Sequence, residues 1–492
     1  MGIIEKQATK NLIYSYLGAG LGFVTILWSA HLLTPAENGV TKLLISYSAL
    51  FAQFANLGFT SVTIRLFPYF RNKDKGHNGF LFYAIMVTLV GFLLCWLVFL
   101  FLKPHLIENN KEKSALFVNY LFYLMPFTLF TVFFNVFDSY LRASYSSVAG
   151  SFTKEFLQRI LIIFVLILFF FNAIPFSIFI FLYISFSCLP TLMLIYYIIK
   201  EKEWHVKPVR GFISKELRQE ILKLSFYSIL AGGASAIILN IDAIMVNKFL
   251  GEAKTGIYGI ALNFGSIMLI PARSIYRITS SIVAENFKQN KLSEIQKLYI
   301  QSCNSQLAIG SLLFIGIWAN IDNIMLLLPP AYASGKYVIL YLSAGYLFEM
   351  ATGINQVIIA NSPLYRYEAY FVFATVGFVV IANYIFIPIY GITGSAIATA
   401  LTVILSNIIR YVFLIIKFKM QPYNSNSLKL ILITVLALLP SFFIPFINNL
   451  YLDVAIRSCI VGGLFVLLIL KLEAAPELNI KIRKNMKRFV KI

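Results

Sequence analysis

The chain has 492 residues, of which 59% are hydrophobic and 13% charged, with a mean hydropathy of +0.80. Soluble proteins hold roughly 45–50% apolar and about 25% charged residues, so this composition excludes a soluble enzyme or binding module and predicts an integral membrane protein. The formal net charge of +20 points to nucleic acid or to a membrane surface, and the position of the charges decides between them.

A helix needs about 20 apolar residues to cross a bilayer core of roughly 30 Å. Runs of that kind predict an all-α protein of about 14 transmembrane helices over residues 12–33, 40–62, 79–102, 115–137, 156–173, 176–199, 223–249, 256–276, 298–318, 336–360, 367–388, 392–416, 429–447 and 452–471. The first run follows Lys6 and Lys10 and exceeds the roughly 7–15 residues of a signal-peptide core, so it reads as a membrane helix. With the N-terminus placed in the cytoplasm, 33 of the 41 Lys and Arg residues fall on the inner side and 6 on the outer. That bias is the positive-inside rule acting on short loops. It puts both termini in the cytoplasm and accounts for the net charge without nucleic acid.

The most charged connection, residues 200–222, divides six helices from eight. Shifting the sequence along itself until Gly39 falls on Gly256 lays LLTPAENG on FLGEAKTG, and carries Ala143 onto Ala360 without a gap. The expected organisation is therefore a six-helix lobe (1–199), the inter-lobe loop (200–222), a second six-helix lobe (223–416), two further helices (417–471) and a basic tail (472–492). An even number of helices per unit makes the two lobes point the same way, about an axis along the membrane normal. Ile278–Leu298 and the tail from Leu478 read as amphipathic. For the tail, two readings stand: an ordinary positive-inside anchor, or contact with anionic lipid.

Asp242 is a carboxylate inside the apolar run 223–249, and an ionisable group at membrane depth is a candidate functional residue. It lies at the margin of an arc of small and polar residues, so it either bonds a neighbouring helix or couples transport to an ion. Glu349 is the second carboxylate at depth and carries the same two readings. In the run 256–276, Asn263, Ser266, Arg273 and Arg277 share one face, and the same shift places Ser46, Asn56 and Thr60 at positions matching Asn263, Arg273 and Arg277. Facing polar stripes would line a cavity between lobes. Arginine there suits a phosphate, because its planar fork pairs with phosphate oxygens through charge-assisted bonds; the alternative is interfacial anchoring of the helix end. Arg65 lies near the inner end of the second run.

No catalytic constellation is present. The four histidines (His31, His77, His105 and His205) lack metal spacing, and Cys95, Cys188, Cys303 and Cys459 lie inside predicted spans without paired spacing. Neither enzyme activity nor a metal or cofactor is expected. Pro126, Pro190, Pro271 and Pro440 fall inside spans and are expected to kink them.

The stretches NIDAIMVNKFLGEAKTGIYGIA (240–261), YGITGSAIATALT (390–402) and LLTPAENG (32–39) resemble the polysaccharide-biosynthesis branch of the multidrug/oligosaccharidyl-lipid/polysaccharide (MOP) exporter superfamily. The resemblance covers essentially the whole chain. It implies an O-antigen-type flippase of the bacterial cytoplasmic membrane, serving lipopolysaccharide or other surface polysaccharide, which carries undecaprenyl-diphosphate-linked oligosaccharide to the outer leaflet by alternating access. Under it, Arg273, Arg277 and Arg65 are expected to meet the diphosphate, and Asp242 or Glu349 to couple transport to a proton or sodium ion, in a monomer surrounded by lipid. Relatives that flip the peptidoglycan precursor carry cavity-facing charges on the first helix, whereas this one offers Ser15, Thr25, Ser29 and His31. That departure counts against a peptidoglycan role. A drug antiporter of the same superfamily and a membrane-embedded glycan polymerase or ligase remain as alternatives.

Overall fold

The computed structural model describes residues 3–144, 146, 148–209, 211–476 and 479; the basic tail beyond lies outside the described residues. All regular elements among them are helical, and they form two compact units, one up to Gly259 and one from Ile260. The first unit holds α1 (Ile3–Leu32), α2 (Pro35–Ala55), α3 (Phe59–Phe70), α4 (Phe80–Asn110), α5 (Ala115–Tyr120), α6 (Leu124–Ala143), α7 (Val148–Ser151), α8 (Gln158–Phe170), α9 (Phe176–Lys200), α10 (Lys215–Leu250) and the start of α11 (Glu252–Ser266). The second holds the rest of α11, then α12 (Leu269–Lys288), α13 (Leu292–Ala319), α14 (Ile321–Leu326), α15 (Lys336–Ala351), α16 (Asn355–Asn361), α17 (Arg366–Tyr390), α18 (Ile392–Phe418), α19 (Ser425–Leu438) and α20 (Leu450–Leu472).

Ten helices among the described residues are long and apolar enough to cross a membrane, and up to thirteen spans result when each bent pair counts as one. The expected span over 156–173 is not among them: its stretch is divided between the end of a π-wound turn at Phe152–Leu157 and the 13 residues of α8. The bends fall at α2/α3 (44°), α11/α12 (54°) and α15/α16 (53°). Two contain a glycine at positive φ, Gly58 at 73° and Gly353 at 66°, where an L side chain would be strained. Pro271 stands in the first turn of α12, just past its bend, while Pro190 lies inside the unbroken α9.

The recurring turns have local causes. Thr34 and Glu37 form a capping box in which the Thr34 amide donates to Glu37 at 2.8 Å, and Pro35 opens α2. At the matching turn, Gly251 adopts φ 87°, and the Glu252 carboxylate accepts the backbone N–H groups of Leu116 (3.3 Å) and Phe117 (2.7 Å), capping α5. In the stretch 390–402, Gly394 lets α18 approach the Phe386 carbonyl of α17, while Ala400 lies against Gly345 of α15. Small residues at such crossings let helix backbones meet where water supplies no driving force.

The connection between α9 and α10 is fastened to the first unit. Gly76, His77, Asn78 and Gly79 are four consecutive left-handed residues, with φ of 55°, 50°, 49° and 73°. Holding His77 and Asn78 there costs of order 1–3 kcal/mol each. It brings the buried His77 ring to Glu203, which also pairs with Lys73 at 3.1 Å, and lets Asn78 donate to the Phe70 carbonyl at 3.0 Å. Burial pushes the Glu203 carboxyl up, but hydrogen bonds and charge from Lys73 and His77 pull it further down, below the ordinary glutamate value. A depressed carboxyl contributes stability that is present above its unfolded value, near 4.3, and lost as pH falls through the folded one. Glu203→Gln reproduces the acid form at neutral pH. Losing bonds to a charged acceptor costs about 1.5–3 kcal/mol, so chymotrypsin is expected to cleave after Trp204 at least about tenfold faster in the variant, where opening is at equilibrium; an unchanged rate would show that Glu203 does not hold the connection.

Candidate functional site

In the second unit, α12 carries the two candidate arginines at one-turn spacing, Arg273 and Arg277, both exposed. Neither makes an ion pair within 4.0 Å among the described residues, and neither does Arg65, exposed on α3 of the first unit. Tyr276, on the face of α12 that also carries Arg273, donates from its hydroxyl to the Glu349 carboxylate of α15 at 3.4 Å. Arg410 of α18 and Arg273 are the cations whose fields reach that carboxylate. Arg410 is itself committed: its guanidinium grips Glu368 of α17 in a buried fork, Nη2 at 2.7 Å and Nε at 3.1 Å. Tyr276 is the hydrogen-bond partner of the Glu349 carboxylate among the described residues, and of the candidate arginines Arg273 is the one whose field reaches it, behind that of Arg410. Beyond Glu349, the α15/α16 bend is tied to α18, where Asn407 accepts from Thr352 (3.0 Å) and Asn355 (2.9 Å). Asn263 is exposed and Ser266 half-buried on α11, the hydroxyl of Ser266 turning back to the Asn263 carbonyl at 3.0 Å.

In the first unit, Asp242 of α10 is buried and accepts the Tyr258 hydroxyl at 2.9 Å. Its field acts on Lys42 of α2, whose stem lies against Gly259. Ser46 is fully enclosed, and Asn56 is spent on the α2/α3 bend, where it bonds the Thr60 hydroxyl and accepts the Thr60 backbone N–H at 3.1 Å. These three positions of the first polar stripe therefore serve packing and capping here, whereas the second stripe is open on α11 and α12.

The starts of α2 and α11, Pro35 and Glu252, occupy matching positions of the two repeats and cross each other. A Cβ on Gly39 would stand 1.9 Å from the Glu252 carbonyl oxygen, and one on Gly256 would stand 1.9 Å from that of Pro35. Residue i of one repeat meets residue j of the other, and j meets i. This is the signature of a two-fold axis.

Lys42, Glu368 and Arg410 were not candidates from sequence. Lys42 reads there as one more charge near an outer helix end, and Arg410 as one of the inner-side cations. A carboxylate and an arginine falling near the same ends of the consecutive runs 367–388 and 392–416 is the one signal that pairs Glu368 with Arg410, since antiparallel neighbours bring such positions together.

A family model described as "Polysaccharide biosynthesis protein" matches residues 6–276. An uncharacterized membrane protein of Methanocaldococcus jannaschii is 21% identical over 98% of both chains. Among solved structures, the lipid II flippase MurJ in an inward closed conformation superposes with a TM-score of 0.75 at 17% identity, over 93% of this chain and 97% of that one. An inward-facing multidrug resistance MATE family transporter of the MOP superfamily gives 0.64 at 14% identity, over 84% and 98%. A MOP superfamily transporter from Pyrococcus furiosus gives 0.57 at 14% identity, over 84% and 96%.

Proposed function

The chain belongs to the polysaccharide biosynthesis protein family and has the multi-pass MOP exporter fold, and from that premise we propose that it flips a lipid-linked oligosaccharide, carried on undecaprenyl diphosphate, from the inner to the outer leaflet of a bacterial cytoplasmic membrane. Both termini lie in the cytoplasm under this reading, as the charge bias requires. The observation that carries it is the cationic face of α12, where Arg273 and Arg277 are exposed and make no ion pair among the described residues. A charge left unpaired at membrane depth is costly unless it meets a wet cavity or an anion, and a diphosphate supplies the anion. Arg65 is a further cation of the same kind. Asp242 and Glu349 remain the groups through which an ion gradient acts.

Alternating access requires the protein to close and open on each side in turn. A cationic face also disfavours the cationic drugs that a multidrug exporter would carry.

Deleting the gene is expected to leave the lipid-linked oligosaccharide on the inner leaflet, where it is inaccessible to a non-permeant glycosidase. Accumulation on the outer leaflet would identify a polymerase or ligase step instead, and drug sensitivity without glycolipid accumulation would identify a drug exporter. Arg273→Ala is expected to lower transport by about 10- to 100-fold, the scale of one lost charge-assisted fork at about 1.5–3 kcal/mol, at unchanged expression. Normal transport by that variant would overturn the diphosphate assignment.

A further inference from the structure

One cluster of buried polar side chains in the first unit takes no part in the polar stripes: it holds the turn between α10 and α11. Asn247, in the last turn of α10, donates from its side-chain amide to the Asn110 side-chain oxygen at 2.6 Å and accepts the Ser114 hydroxyl at 2.7 Å, and all three residues are buried. Lys113 donates from its amine to the Phe249 carbonyl at 3.0 Å, one of the carbonyls that the end of α10 leaves open. In return, the Glu252 backbone N–H donates to the Lys113 carbonyl at 3.4 Å, and the Glu252 carboxylate takes the N–H groups of Leu116 and Phe117. We propose that these contacts form one latch, seating residues 247–252 on residues 110–117, and that the latch lets go as a unit when the protein opens at the end that the charge bias places outside. This rests on the alternating-access reading of the protein.

The contacts are interleaved, so they fail together. A displacement of about 1 Å carries bonds of 2.6–2.7 Å out of hydrogen-bond range. It strips Asn110, Ser114, Asn247 and Glu252 of these partners in one step. A buried polar group without a partner costs more than its bond contributes net, so a half-seated turn is less favourable than one fully seated or fully open to water. The repeat builds this latch once. The shift that lays Gly39 on Gly256 puts Ala30 and Pro35 at the positions of Asn247 and Glu252, and Leu327, Pro330 and Ala331 at those of Asn110, Lys113 and Ser114. None of these five side chains can donate or accept the corresponding bond. The turn between α1 and α2 is instead closed on itself, by the Thr34–Glu37 capping box and by the Asn38 side chain, which donates to the Ser29 carbonyl at 2.8 Å. Of the two related turns, the one at 247–252 is the one fastened by side chains to a separate segment, and release is assigned to it.

Hydrogen exchange at the Leu116 and Phe117 amides tests the latch in the full-length protein in detergent, without substrate. Glu252→Gln weakens their acceptor and is expected to raise their exchange by about tenfold. Asn247→Ala and Lys113→Met leave both of those bonds in place, yet each is expected to raise exchange at the same amides by about two- to tenfold, the scale of one lost hydrogen bond. Unchanged exchange in these two variants overturns the latch, since separate contacts would answer only to their own residues. The amides of α9, which takes no part, report whether each variant is folded. Where Asn247→Ala loosens α9 as well, Lys113→Met, which removes one exposed amine, decides. In cells, Lys113→Cys/Lys248→Cys places an exposed thiol on each of the two segments. Bridging them with a membrane-impermeant bis-methanethiosulfonate is expected to stop the lipid-linked oligosaccharide from becoming accessible to a non-permeant glycosidase, and a reductant to restore it. Unhindered appearance with the bridge in place overturns the latch and leaves the flippase reading standing. No appearance in untreated wild-type cells overturns the flippase reading, and the role of the latch with it.

Discussion

Arg410→Ala is expected to destabilise the second unit by about 3–5 kcal/mol, because it leaves the buried Glu368 carboxylate without its partner. The pair joins the start of α17 to α18 through three N–H···O contacts of 2.7–3.1 Å, and both side chains are buried. The Coulomb term inside such a site is large, but so is the desolvation that it offsets, so the net worth of the intact pair is small and the cost of breaking it is not. The double variant Arg410→Leu/Glu368→Leu is therefore expected to recover most of the loss. Thermal unfolding in detergent, followed by tryptophan fluorescence, measures each variant. If the double variant is as unstable as the sum of the singles, the two charges act independently and the fork is not what holds α17 to α18.

The second large effect is steric. Ordinary Cβ contacts begin near 3.4 Å, and a Cβ on Gly256 would lie 1.9 Å from the Pro35 oxygen and 2.8 Å from the Gly39 nitrogen. Both are backbone atoms that no rotamer change can move, so Gly256→Ala forces α2 and α11 apart. Overpacking costs typically about 1–3 kcal/mol, and this contact, without a flexible side chain to yield, belongs at the upper end. Gly39→Ala is expected to cost a similar amount, since the contact is reciprocal. The pair of substitutions should cost less than the sum, because one separation of the helices makes room for both methyl groups. Unfolding temperatures check this, and strict additivity would mean that the two glycines do not share a crossing.

Much of the architecture was legible in the sequence. The class followed from hydropathy, and the turns at Thr34 and Gly251 followed from the matching stretches LLTPAENG and FLGEAKTG. The helices beginning at Pro35 and Glu252 obey the shift that lays Gly39 on Gly256, because the same local chemistry starts both. The π-wound turn before α8 was not legible, since winding depends on packing and not on hydrophobic period. Nor were the bends, two of which turn at Gly58 and Gly353 while Pro190 leaves α9 unbroken. At the candidate site, the positions of single charges were readable but their partners were not. The field of Asp242 on α10 reaches Lys42, far back in the chain on α2, a proximity only the fold supplies, whereas Glu368 and Arg410 could be paired from the matching ends of their consecutive runs. Packing also groups α10 with the first unit, through α2 and α3, whereas the repeat begins a new lobe there. The first division follows spatial proximity and the second the shift of the sequence along itself.

The crossing at Gly39 and Gly256 bears on how such a chain can be built. A contact that maps onto itself under two-fold rotation is the kind that two copies of one half-length chain can make. In such a homodimer a residue on the axis faces its own duplicate, so a lysine there would confront another lysine. In the present chain Lys42 and its counterpart in the second repeat, Gly259, lie against each other, one long and cationic and the other without a side chain. Joining the halves into one polypeptide releases the two positions from having to be identical. It allows a long cationic side chain to stand where its counterpart has none, an arrangement closed to any pair of identical subunits.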